Sequence, residues 1–434
     1  MAGKRLLVIQ CAALGHDFLT EEVGEEWNGL RFRPMESVFP AVTSTVQGSF
    51  RTGLPPSKHG MVANGFYDRT LRRAFSWEQS SALVEGARIW KKFRGRGKRV
   101  AMMFWQQSLG EEADMALSPA PIHKHHGGMI PDCYAKPAGL YERLCAAVGR
   151  EFSLAHYWGP IASAASGEWI TEAVAAMIAN EETRADLCLV YLPTLDYDLQ
   201  RRGPKHEHSE RALQALLGQL KRMLDAAGAA GYETLVFGDY AMGQVSGEVC
   251  FPNRALLEAG YLATRHIGHM LYPDFHESRA FAVTDHEIAH VYVRDPRDVE
   301  KTRECLGAIT GVEQVLDRRA QKKMDLDHER SGELVLVARE GSWLAYPWWT
   351  KPREAPEYAS HVDIHNKPGY DPCELFFGRF PTQVSTDTSE IAGTHGRTGP
   401  GRAACWAATC GMPGEPKTLI DLAQATSEWL EKAT

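Results

Sequence analysis

PAVTSTVQGSFRTGLPPSKHG, residues 40–60, decides more about this chain than any other stretch. An extended apolar entry (Val38, Phe39, Ala41, Val42) turns at Thr43 into a short helix. The run closes in a Thr-Gly-Leu-Pro-Pro turn and the pair His59-Gly60. A hydroxyl at a helix start lies among free backbone N–H groups and the positive end of the helix dipole. That placement suits a nucleophile attacking a phosphorus centre whose oxygens carry negative charge. The same residues also read as a plain strand, a Ser/Thr cap and a helix, as any α/β protein has them. On this stretch alone both readings stand.

Working outward, the chain has 434 residues, 44% hydrophobic and 24% charged, the balance of a globular protein with a sizeable core. A net charge of −7 excludes a broad nucleic-acid footprint. The basic cluster Lys91, Lys92, Arg94, Arg96, Lys98 and Arg99 reads as a solvated helix end. Nine scattered cysteines without a CxxC spacing predict reduced thiols and a cytoplasmic protein. No segment reaches the roughly 18 to 20 apolar residues a bilayer span needs, so no membrane partner is expected. The start MAGKRLLVIQCAALG reads as a first buried strand rather than a leader, because its apolar run is short and β-rich.

Short apolar strands at Leu6–Ala13, Val100–Phe104, Leu187–Leu192 and Thr234–Gly238 alternate with helices. One helix is plainly amphipathic, with Leu213, Leu216, Leu217, Leu220, Met223 and Leu224 on one face. This alternation predicts an α/β fold with a mainly parallel sheet covered by helices on both faces. Catalytic groups then gather beyond the carboxyl ends of the strands. From about Arg279 the texture changes. Phe281–Arg294 reads as one alternating strand, Pro296–Ile309 as a helix, and Val312–Leu316 and Glu333–Arg339 as further strands. The expected organisation is a core of residues 1–278 and 380–434 carrying a small α+β insertion at 279–379. The aromatic, Pro-rich stretch from Ser342 to Arg379 takes no assignment, and a last amphipathic helix is expected around Leu419–Leu430.

Thr43, the Thr52-Gly53 pair, Pro55-Pro56 and His59-Gly60 resemble, in order and spacing, the signature of the type I phosphodiesterase/nucleotide pyrophosphatase family of the alkaline phosphatase superfamily. The resemblance implies an alkaline-phosphatase-like core, a threonine nucleophile and two zinc ions that activate it. Position by position, it places metal ligands at Asp196 of LPTLDYDLQRRGP, Asp239 of LVFGDYAMG and His395 of GTHGR. Three positions depart from the pattern: no acid stands near Ala12, Gln200 replaces a histidine, and Tyr240 replaces another. Gln lacks charge and suits zinc less well than imidazole, and Tyr normally stays protonated. One divalent metal, held by Asp196, His395 and either Gln200 or Asp198, is therefore expected rather than two. The stretches VTSTVQGSFRTGLPPSKHGMVANG, DHEIAHVYVRD and VDIHNKPGYDP are also similar to those of a bacterial subgroup of that family.

Two further sets stay open. In FAVTDHEIAHVYV, His286 and His290 share one face of the expected strand, and a solvated insertion edge weighs about two to one against a metal role. In HVDIHNKPGYDP, His361, Asp363 and His365 share a face if extended, with a site role and a structural one evenly balanced. HKHHGG, with His123, His125 and His126, reads as a surface loop. Trp343, Tyr346, Trp348 and Trp349 read as packing rather than a base-stacking platform. The sum is a metal-dependent phosphodiesterase-like hydrolase of a small phosphorylated substrate, with Thr43 attacking phosphorus. The alternative keeps the fold with a degenerate metal site that binds a phosphorylated metabolite without cleaving it, or does different single-metal chemistry.

Overall fold

A computed structural model describes residues 4–126 and 128–433. Its strands used below are, in chain order, β1 (Arg5–Cys11), β2 (Arg33–Met35), β3 (Val100–Met103), β4 (Met115–Pro119), β5 (Cys133–Lys136), β6 (Leu187–Leu192), β7 (Tyr232–Gly238), β8 (Ala280–Asp285), β9 (Ile288–Val293), β10 (Val312–Leu316), β11 (Leu334–Ala338) and β12 (Ala404–Ala408). The large sheet has the order β5-β4-β3-β6-β1-β7-β12-β2. Its middle, from β4 to β7, is parallel, and antiparallel strands close both edges.

Burial explains the strand sequences. Leu6 through Cys11 of β1 are all buried, as are all of β6 and nearly all of β7, because flanking helices cover the sheet. The helices are α1 (Thr43–Thr52), α2 (Ala164–Ala179), α3 (Thr194–Arg202), α4 (Glu207–Ala229) and α5 (Leu419–Lys432). α2 packs along α4, and α1 packs along α5. Every residue of α1 is buried, and Phe50 stacks on Phe237 of β7 with centroids 4.7 Å apart.

The 40–60 stretch is built as much for packing as for chemistry. His59 accepts from Met61 N–H through Nδ1 at 3.1 Å and meets the Ser49 hydroxyl through Nε2 at 2.8 Å, tying the turn to α1. Gly48 makes room for it: a Cβ there would stand 2.8 Å from the imidazole. Gly53 closes α1 in the left-handed conformation, φ 67°. Arg51 is fully buried, donating to the Gln106 and Gln107 carbonyls at 2.5 and 2.8 Å and lying 3.5 Å from Glu111.

A second sheet, β8-β9-β11-β10, is entirely antiparallel. It corrects one sequence expectation. Residues 281–294 form no single strand; β8 and β9 are a hairpin turning at His286-Glu287, with Asp285 paired to Ile288. His286 takes the left-handed conformation, φ 59°, that such a tight turn demands. Both strands are buried throughout, so the alternation in the sequence marked no solvated face. The helix expected at 296–309 is an α-helix over Val299–Gly307 behind a short 3-10 turn.

Candidate functional site

Beyond the carboxyl ends of β1, β6 and β7 lies a cavity of about 370 Å³. Thr43, Asp196, Gln200, Tyr240, His286 and His395 all line it, and Asp239 sits behind Thr43, outside the lining but bonded to it. Thr43 is the first residue of α1, and its Oγ1 donates to Asp239 Oδ2 at 3.4 Å. Asp239 directly follows β7 and is wholly buried. Its Oδ1 accepts from the N–H groups of Ala13 and Tyr240 at 2.9 and 3.0 Å, and its Oδ2 also accepts from Gln10 Nε2 at 3.1 Å. Gln10 is the one long polar side chain inside β1, and this bond accounts for it.

Asp196, in the first turn of α3, is equally engaged. The Tyr240 hydroxyl donates to Oδ1 at 2.8 Å and Gln200 Nε2 to Oδ2 at 2.5 Å. Gln200 Oε1 in turn accepts from the Tyr370 hydroxyl at 2.7 Å. Burial dominates both carboxyls. It pushes Asp196 up to about 6 against the pull of the Tyr240 and Gln200 donors. Asp239 rises further, to about 8, with Asp196 as its charged neighbour.

Four rings stack into a column across this floor. Tyr240 lies on His395 with centroids 3.5 Å apart, His395 on His286 at 3.7 Å, and His286 on Tyr370 at 3.8 Å. His395 Nδ1 bonds the Ala41 carbonyl at 2.8 Å, and His286 Nδ1 bonds Asp285 at 2.7 Å. Both rings therefore turn Nε2 away from those anchors, and His286 Nε2 is buried without a partner. Burial drives His395 well below the usual imidazole range and His286 down to about 3, so both are neutral. The hairpin tip is pinned here by its neighbours. Glu287 N–H donates to the His395 carbonyl at 2.9 Å. Asn64 donates to both Asp285 oxygens, at 2.8 and 3.2 Å, while accepting from Ser44 N–H of α1 at 3.0 Å.

The other sequence candidates divide. Asp363 and His365 reach the cavity wall, while His361 lies exposed against Glu357. Their segment is a strap held by Lys367, whose buried ammonium meets Asp371 at 2.7 Å and Glu374 at 2.8 Å. Glu374 accepts from Asp363 N–H at 2.9 Å and from Trp158 Nε1 at 2.6 Å. Asp198 lies outside the cavity lining, 3.9 Å from Arg201. His290 is spent on structure, between the Val62 carbonyl and Gly332 N–H. His123 lines the cavity, whereas His125 and His126 are exposed. Gln10, Asn64 and Tyr370 escaped the sequence reading. Only Gln10 carried a signal, a polar residue in an otherwise apolar buried strand.

The donor set does not fit the metal centre that the family resemblance implies. Both Asp196 oxygens and both Asp239 oxygens already accept from neutral donors. Gln200 turns its amide nitrogen to Asp196 and shares its oxygen with the Tyr370 hydroxyl, so it brings a metal no charge and a weak, already bonded donor. Among the described residues no three His, Cys, Asp or Glu side chains converge as ligands. What the floor presents is a hydroxyl on a carboxylate, two neutral imidazole nitrogens, and the positive end of α1.

Over 107 residues the chain is 31% identical to venom phosphodiesterase 2 of Crotalus adamanteus, a match covering 24% of this chain and 13% of that protein. The chain thus matches only a small part of the curated relatives' length. Murine ectonucleotide pyrophosphatase/phosphodiesterase 5 superposes with a TM-score of 0.63 at 16% identity, over 99% of this chain and 95% of its own. Phosphonoacetate hydrolase of Sinorhizobium meliloti superposes with a TM-score of 0.63 at 18% identity, over 99% and 96%. These likenesses give the alkaline-phosphatase-like fold. The profile of the family described as type I phosphodiesterase/nucleotide pyrophosphatase matches residues 22–371, and to that family the chain belongs.

Proposed function

We propose that the chain is a phosphodiesterase-type hydrolase in which Thr43 attacks the phosphorus of an ester. The observation that carries this is the Thr43 Oγ1 bond to Asp239 Oδ2 at the floor of a cavity wide enough for a small molecule. Thr43 Oγ forms the bond to phosphorus as its proton passes to Asp239. The ester P–O bond breaks on the opposite side, and the departing oxygen takes a proton from solvent water. A second water then attacks phosphorus and releases its proton to solvent, the P–Oγ bond breaks, and Asp239 returns its proton to the Thr43 oxygen. The start of α1 faces the phosphoryl oxygens with its positive end. Asp196, held by Tyr240 and Gln200, and the neutral His286–His395 pair shape the pocket around them. A divalent ion has no step in this reading, because Gln200 and Tyr240 stand as neutral donors to Asp196 and no three His, Cys, Asp or Glu side chains converge as ligands among the described residues. The solved neighbours bind AMP and phosphonoformate, which is consistent with a phosphorus-centred ligand. The nine cysteines are all unpaired, which supports the cytoplasm as its compartment.

One observation favours a second reading, binding without cleavage. The cavity lining contains no lysine or arginine among the described residues to compensate a phosphoryl anion. Turnover of bis(p-nitrophenyl) phosphate separates the two. Loss of that turnover in Thr43→Ala, with an unchanged melting curve, and a covalent phosphoryl adduct on Thr43 in the wild type support catalysis. Undiminished turnover in Thr43→Ala sinks the nucleophile. Saturable binding of a phosphate monoester with no turnover of any ester supports the binding protein.

A further inference from the structure

We infer that the ester cleaved at Thr43 carries a long apolar chain, lodged in the outer part of the same cavity, rather than a nucleoside. The inference rests on the hydrolase reading for its chemistry but not for its binding test. Away from the floor, the walls include Pro119, Pro121, Pro131, Leu154, Ile161 and Ile364, beside the rings of Trp77, Tyr157 and Trp158. Most of the polar side chains among them, Ser118 and His123 excepted, are already engaged. Gln79 Nε2 donates to Gln106 Oε1 at 2.6 Å and to the Trp77 carbonyl at 2.8 Å. Asp363 accepts from Asn366 at 2.7 Å, and His365 Nδ1 meets the Ser76 carbonyl at 3.3 Å. Reading a base edge or a ribose needs free donors and acceptors at fixed places, and these walls leave few to give.

The rim extends the same character to the surface. Met129, Ile161 and Val362 line the cavity while remaining 39%, 47% and 42% exposed. Ile122 and Ile130, 54% and 46% exposed, belong to the small hairpin that carries the lining residues His123 and Met129. That places five of the nine large exposed hydrophobic side chains of the described residues around one opening. A concentration of this kind marks a binding surface, not scatter. The cavity runs unbroken from this rim to Thr43, so a single occupant must satisfy both ends: an ester group at the hydroxyl and an aliphatic chain along the prolines.

Two measurements test it. The Thr43→Ala protein, which cannot turn over, is titrated calorimetrically with butyl and dodecyl phosphate below their micelle concentrations. Burial of methylenes is worth about fourfold in affinity each where fully desolvated. Dodecyl phosphate is expected to bind at least tenfold more tightly, with that advantage lost in a protein also carrying Ile161→Asp and Val362→Asp. Affinities within twofold of each other overturn the inference. In the wild type, kcat/KM is compared for the methyl and dodecyl p-nitrophenyl phosphodiesters and the thymidine 5′ ester. Preference for the dodecyl ester supports the chain; preference for the thymidine ester overturns it. Adsorption to phosphatidylcholine vesicles without any dependence on chain length also overturns it and assigns the rim to a membrane surface. Tight dodecyl phosphate binding with no turnover anywhere sinks the hydrolase reading and leaves the chain subsite standing.

Discussion

Removing the Tyr240 hydroxyl tests the network at the Asp196 carboxylate. In Tyr240→Phe the ring remains stacked on His395, and only the 2.8 Å donor to Asp196 Oδ1 is lost. A hydrogen bond to a charged group contributes about 1.5–3 kcal/mol, and one to a neutral group about 0.5–1.5. The difference, about 1–1.5 kcal/mol, is roughly one pKa unit. Asp196, at about 6 in the native protein, therefore moves up by about that amount. The sign follows. The native Asp196 pKa is already above its unfolded value, so its ionisation costs stability as pH rises through 6, and the variant pays that cost more heavily. Melting temperatures of wild type and variant, measured by scanning fluorimetry at pH 5 and pH 9, should differ more at pH 9. A gap that is equal at both pH values, or larger at pH 5, refutes the claim that this phenol supports a carboxylate.

Further outcomes follow from the same geometry. Asp239 rises to about 8 with burial, so the rate of ester cleavage should climb as pH passes through about 8; a profile flat from pH 6 to 10 removes Asp239 as the base. Gly48→Ala places a Cβ 2.8 Å from the His59 ring and should cost about 1–3 kcal/mol of stability, read in urea melts. Lys367→Ala leaves Asp371 and Glu374 buried without their cation and should cost about 3–5 kcal/mol; a melt within 1 °C of the wild type contradicts the strap. Chelation by EDTA should leave both the melting temperature and any esterase rate unchanged, and metal analysis should find no stoichiometric zinc.

The parallel core was legible because its strands are buried on both faces and read as unbroken apolar runs, β6 to the residue. Thr43, Asp196, Asp239 and His395 were reached through the family resemblance, and the structure brings Thr43, Asp196 and His395 to one cavity with Asp239 bonded behind Thr43. The partners were not legible. Tyr370 reaches Gln200 from 170 residues away, on a strap fixed by a buried ion cluster that no local pattern announces. His286 was set on a strand face, because an alternating run hides a two-residue turn when neither turn residue is glycine. The metal was expected from the family resemblance, and a resemblance does not say that Tyr240 and Gln200 will turn donors toward the Asp196 carboxylate.

The hairpin tip at His286-Glu287 has a consequence for anyone cutting this protein down. Half of the imidazole pair comes from the smaller sheet, and Glu287 grips Arg402 at 2.8 Å near the chain's far end. Excising that sheet as a dispensable ornament would unroof the reaction chamber and unmoor the C-terminal strand together, so the two sheets should be inherited, truncated and engineered as one unit.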